Sequence, residues 1–168
     1  MRVRALALVA VLGIAALVAP GAAQAKAPPT KNLTFTARFT SLGTTLTTLP
    51  GGHTYGWNHL TGPTTWGKKK ATMDFLGSVN YVDGTGPFGG LITVTRSDGT
   101  QLGFSVSGWA TTPSNETGTA DATFAGTVIV IGGTGPYEGA TGTGTMSGFR
   151  KAALGSPVEL TFSLTVQP

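Results

Sequence analysis

The chain is 168 residues long, carries no cysteine and has a formal net charge of +4 from few ionisable groups. That length suits one domain, and the missing thiols exclude disulfides, thiolate metal sites and cysteine nucleophiles together. Its cations cluster only at Lys68-Lys69-Lys70, too sparse for the one-faced basic density that nucleic acid requires, so no nucleic-acid partner is expected.

Arg2 and Arg4 precede an apolar run from Ala5 to Val18, then Pro20-Gly21 and Ala23-Gln24-Ala25. This is the order of a secretory signal peptide, residues 1–25, with cleavage expected after Ala25. Residues 26–32 then read as a flexible mature N-terminus and 33–168 as a single β-barrel domain. The run falls short of the roughly 18 apolar residues of a membrane helix. The expectation is a secreted, extracellular protein with no membrane attachment after signal cleavage. An exported chain without cross-links depends on packing and on a hydrogen-bond ladder with no open edge. Asn32-Leu33-Thr34 and Asn115-Glu116-Thr117 match the glycosylation pattern, but that pattern is frequent by chance, and the Ala-, Gly- and Thr-rich composition is of bacterial type.

Beyond the leader, apolar residues alternate at period two and helical periodicity is missing. In a first strand over 33–40, Leu33, Phe35, Ala37 and Phe39 share a face against Thr34, Thr36, Arg38 and Thr40. Residues 41–70 read as a long connection holding a short strand, 53–59, in which His53, Tyr55, Trp57 and His59 fall on one side. The two histidines lie about 20 Å apart when extended, too far to ligate one metal, and no metal site is expected. The aromatic row reads either as a lid over the barrel mouth or as a platform that stacks on a sugar or a hydrophobic ligand.

Strand 71–82 bends near Gly77 and puts Met73, Phe75, Val79 and Tyr81 on one face, with Asp83 continuing that face to the rim. Strand 89–96 turns Ile92, Val94 and Arg96 inward. As rim residues Arg96 and Asp83 either cap strand ends or pair with each other at the surface, or they bind a substrate carboxylate or move a proton. Ser97-Asp98-Gly99 is a tight hairpin turn, since glycine accepts positive φ. In strand 100–111 Leu102, Phe104 and Val106 point inward, while Trp109 sits on the polar face as an exposed apolar contact or packs against the 41–70 connection. Turns at Pro113-Ser114-Asn115 and Gly155-Ser156-Pro157 flank strands 119–131 and 140–151. In the second of these Gly142, Gly144 and Gly148 remove inward bulk, allowing a sharply coiled strand or room for a guest. Strand 158–166 closes the set with Val158, Leu160, Phe162, Leu164 and Val166 inward. A flat sheet of eight strands would leave two aggregation-prone edges, so the expected fold is all-β, an eight-stranded antiparallel closed barrel.

Gly84-Thr85-Gly86-Pro87-Phe88 returns as Gly133-Thr134-Gly135-Pro136-Tyr137, an interval long enough for about four strand-and-turn units. Val128-Ile129-Val130-Ile131 before Gly132 imitates a dinucleotide-binding turn. The imitation fails because residues 140–145 are poor helix formers and the glycine spacing is wrong, so no cofactor is expected. No G-x-S-x-G elbow occurs. Parity puts Asp121 and Glu159 outside, leaving too few inward acids for a glycosidase.

The segments Val82–Gly90 and Ile131–Gly142, with the terminal Val158-Glu159-Leu160-Thr161-Phe162, resemble the allene oxide cyclase-like barrel family, kin to dirigent proteins. The later segment is similar to that family's G-G-T-G-x-[YF]-x-x-A-x-G signature, and the resemblance runs from about Ala71 to the C-terminus. It implies an eight-stranded, lipocalin-like barrel with an apolar cavity, and oligomers are common among such relatives. It also implies cofactor-free work by confinement: cyclising an epoxide in the plant cyclases, orienting phenoxy radicals in dirigent proteins, shaping polyketide cyclisation in some bacterial relatives.

Three readings stay open. The first is a secreted barrel that binds a small hydrophobic molecule or a glycan, in its cavity or at an aromatic rim, through Tyr55, Trp57, Tyr81, Arg96 and Trp109. The second is an isomerase or cyclase with Tyr81 and Arg96 as polar groups in a greasy pocket. The third is a structural cell-envelope interaction protein with a solid interior, homo-oligomeric or not. No catalytic residue is assigned. A cavity of about 300 Å³ or more would favour ligand chemistry.

Overall fold

Aromatic and β-branched residues alternating with Thr and Ser favour pleated strands with one buried face. The computed structural model describes residues 29–113, 121–151 and 156–168. The expected signal peptide, Ser114, Asn115 and Gly155 of the expected turns, and the Asn115 acceptor pattern lie outside these. The strands are β1 (Lys31–Leu49), β2 (His53–Trp66), β3 (Lys69–Val82), β4 (Gly86–Arg96), β5 (Gln101–Thr111), β6 (Ala122–Gly133), β7 (Thr141–Arg150) and β8 (Val158–Gln167), with one 3-10 turn at Gly135–Tyr137. Each strand pairs antiparallel with the next, and β8 returns to β1 with Lys31 opposite Val166 and Phe39 opposite Val158. The barrel is closed, as the edge argument requires.

Residues 41–70 differ from expectation. They form the outer half of β1, all of β2 and the start of β3, with β1 and β2 paired from Thr40 opposite Thr61 to Leu49 opposite His53 and a bulge between Ser41 and Gly43. Pro63, which discourages a central-strand reading, is tolerated because it lies beyond the last β1–β2 ladder pair. There Thr64 Oγ1 donates to the Thr36 carbonyl at 2.9 Å and ties β2 to β1 through a side chain.

Up-and-down connectivity gives the barrel two ends. Lys31, Trp66, Arg96 and Tyr137 lie at one, the closed end; Leu49, Val82, Thr111 and Arg150 lie at the other, the open end. The interval between the two Gly-Thr-Gly-Pro copies holds three strands, β4, β5 and β6, not four. An odd number carries the chain across the barrel, so the copies sit at opposite ends. Each is followed by an aromatic that packs at its own end: Phe88 edge-on against Phe124 at 5.8 Å at the open end, and Tyr137 4.9 Å from Trp66 at the closed end.

The middle is solid. Phe35, Phe39, Phe104 and Phe162 are almost completely buried, with Phe162 5.4 Å from Phe104 and 6.5 Å from Phe39. Expected parity holds throughout β1, β3, β5 and β8. The β7 glycines leave no room for a guest, because β8 lies against them. A Cβ at Gly148 would overlap the Glu159 carbonyl oxygen and lie 2.6 Å from Leu160 Cδ2, and one at Gly144 would lie 2.7 Å from Leu164 Cδ2. Neighbouring β8 occupies the space these side chains would need.

Candidate functional site

At the open end the regular β3–β4 ladder runs to Val79 opposite Phe88 and, after an irregular step at which Gly86 packs on the Asn80–Tyr81 backbone, resumes at Val82 opposite Thr85, while β1 and β2 run on to Leu49 and His53. At this end lies a cleft of about 70 Å³ walled by Leu46, Phe75, Val79, Phe88, Phe124 and Leu160, among others. Its polar lining is Asn58, Ser78, Tyr81 and Arg150. The volume is well below the roughly 300 Å³ of a drug-sized site, so it admits a ring or a short chain and not a whole ligand.

Tyr81 continues the inward face of β3 and is buried. Burial pushes its phenol up to about 12, partly opposed by the Arg150 cation. Arg150 is buried too; burial lowers its pKa, and Tyr81 acts in the other direction. A guanidinium stays charged regardless, so the cleft holds a neutral phenol beside a cation in largely apolar walls. Arg150 also has further contacts of its own. Its inward direction follows from parity, since it shares the face of Gly144, Met146 and Gly148 on β7. Sequence reasoning stopped at the glycines and missed it, although the same count by twos would have reached it.

The other candidate residues scatter. Arg96 is at the closed end, where its Nε donates to Asp98 Oδ1 at 2.9 Å, its second amino group donates to Thr100 Oγ1 at 2.9 Å, and its guanidinium lies 5.2 Å from the Trp66 ring centre. Pairing of Arg96 with Asp83 is therefore corrected: Asp83 sits in the β3–β4 turn at the open end with φ 51°, a barrel length away. Lys69 Nζ joins the cluster, 2.6 Å from Asp98 Oδ2. Hydrogen bonds from Arg96 and Lys69 hold the Asp98 carboxyl well below the usual carboxylate range.

Tyr55 and Trp57 lie on the outer face of β2, Trp57 62% exposed, so they do not cover the mouth. Trp109 is 54% exposed on the outer face of β5, between Pro87 and Ala125, and not packed under residues 41–70. Thus Tyr81 alone of the candidates lines the cleft. His53 Nε2 is 3.1 Å from Asn80 Oδ1, and His59 Nε2 is 3.7 Å from Asp74 Oδ1. Among the described residues no group of three His, Cys, Asp or Glu side chains converges on a point, and no helix is long and apolar enough to cross a membrane.

Comparison with protein-family models, curated proteins and solved structures gives no match for this chain. Fold and site therefore define the class by geometry: a closed antiparallel barrel with a packed aromatic middle and an apolar cleft at its open end.

Proposed function

We propose that this is an exported, cofactor-free binding barrel that takes the apolar or aromatic end of a small amphiphile into the open-end cleft, without turnover. The observation that supports this reading is the lining itself: carbon walls, one protonated phenol at Tyr81 and one cation at Arg150, with no carboxylate or imidazole among the described residues that line it. Burying about 100 Å² of ligand carbon contributes ~2.5 kcal/mol. A charge-assisted hydrogen bond from Arg150 to a carboxylate head adds about 1.5–3 kcal/mol, and its five donors serve more than one acceptor. Together these contributions reach about 4–5.5 kcal/mol before the cost of association, so binding is no tighter than the high-micromolar to millimolar range.

Calorimetric titration with octanoate, and with octanol as the uncharged counterpart, tests it. Arg150→Met is expected to weaken octanoate at least tenfold while leaving octanol within twofold, with the melting temperature recording that the variant folds. Failure of both ligands to bind the wild-type protein, or equal weakening of the two, defeats the reading.

The cyclase reading implied by the family resemblance uses the same cleft. Its support is Tyr81, a buried neutral donor of the kind that stabilises a developing oxyanion. A changed enantiomer ratio on cyclisation of a racemic allylic epoxide, abolished by Tyr81→Phe, would replace simple binding with steering.

A further inference from the structure

On the outer side of β2 and β3 lies a shallow groove of about 450 Å³ whose lining includes Leu49, His53, Tyr55, Trp57, Ser78 and Asn80. Its chemistry follows from register. Thr47, Tyr55 and Asn80 stand opposite one another across β1, β2 and β3, and Thr45, Trp57 and Ser78 do the same two residues along. Direct cross-strand partners share a side of the sheet, so each aromatic is flanked by a hydroxyl on one side and a hydroxyl or amide on the other. Tyr55 and Trp57 are 46% and 62% exposed, and strand rise sets their rings about 7 Å apart, a step comparable with that of neighbouring sugar rings. Among the described residues no Lys, Arg, Asp or Glu lines the groove.

We infer that this outer face binds a neutral saccharide chain, the apolar faces of its rings lying on Tyr55 and Trp57 and its hydroxyl groups bonding to Thr45, Thr47, Ser78 and Asn80. The chemistry selects that occupant. A lipid or an apolar protein surface would dry the flanking hydroxyls and the Asn80 amide without giving them partners, which is costly. Nucleic acids and acidic polymers need cations that the groove lacks. A neutral sugar offers apolar ring faces and hydroxyls together. Because the aromatics ride on paired strands, with Asn80 held by His53 and Thr48 bonded to Thr54 at 3.2 Å, little ordering remains to oppose binding. The groove adjoins the cleft at Ser78 and Val79, which line both, but Tyr55 and Trp57 line only the groove and Tyr81 and Arg150 only the cleft, so the two are separable by experiment.

Affinity electrophoresis in native gels containing hydroxyethylcellulose, laminarin, dextran or mannan tests it. Retardation is expected in at least one of the four. Trp57→Ala should then weaken the interaction at least fivefold, Tyr55→Ala at least twofold, and Trp57→Phe should retain at least half of the wild-type affinity. Trp109→Ala, which removes an exposed indole on β5 outside the groove, should change nothing, and octanoate binding should survive Trp57→Ala. Absence of retardation in all four gels overturns the inference. So does equal weakening by Trp109→Ala, or an oligomer in sedimentation that Trp57→Ala dissociates without any glycan effect, since that outcome makes the face a contact between copies of the chain.

Discussion

Closure of the barrel over a glycine-lined strand makes Gly148→Ala a sharp test. The backbone at Gly148 lies outside the positive-φ range, so alanine meets no conformational strain, and the smaller entropy of the unfolded chain favours it by about 0.4–1 kcal/mol. Against this, the added methyl overlaps the Glu159 carbonyl and crowds Leu160 Cδ2 and Cα, at 2.6 and 2.9 Å. Overpacking of that kind costs about 1–3 kcal/mol when backbone has to move. The net expectation is ~1–2 kcal/mol of destabilisation, or about 3–8 °C in Tm for a domain of this size. Urea unfolding followed through the buried Trp66, with circular dichroism as a second probe, measures it. Gly43→Ala is the matched control: no heavy atom lies within 4 Å of its added Cβ and its φ is also outside the positive range, so stability should be unchanged or raised by up to ~1 kcal/mol. Gly148→Ala as stable as wild type, with an unchanged denaturant slope, would refute the claim that β8 fills the space over β7.

Two further predictions concern pH. The Tyr81 phenol ionises at about 12 in the folded protein, above its ordinary value near 10, so the folded state holds its proton more tightly. Stability should be steady below pH 10 and fall between pH 10 and 12, by about 2–3 kcal/mol, and Tyr81→Phe should abolish most of that fall in alkaline urea titrations. Asp98 has the opposite sign: its carboxyl is held low by Arg96 and Lys69, so its contribution is present above about pH 4 and lost as pH drops further. Wild type and Asp98→Asn should therefore differ at neutral pH and converge in acid, with only a small difference throughout because the cluster is solvated; a gap that widens in acid contradicts the assignment.

Strand parity was the most legible property of this chain. Phe35 and Phe39, Leu102 and Phe104, and Leu160 and Phe162 each announced their buried face by alternation alone, because one-sided burial in a sheet leaves no other pattern. The run from Thr44 to Leu49 carried no such mark. Its threonines are wet on both sides, and only pairing with β2 makes it a strand. Alternation likewise put Trp109 outside, but it left the side of the 53–59 row open, since that depends on a hairpin hidden in the same polar stretch. Parity and its place as the last residue of its strand mark Arg96 as a rim residue; what they do not show is that its long side chain reaches over the Trp66 ring to Asp98. Spacing along the chain could not reveal that Asp83 and Arg96 flank opposite ends, because that requires counting strands between turns.

The seam between β1 and β8 sets Lys31 beside Val166, bringing the first and last described strands out at the plugged pole. Anything joined to the chain there, whether a tether, a tag or another domain, would hang from the base of the barrel. The cleft and the aromatic platform would then both stand at the far pole, facing away from the anchorage.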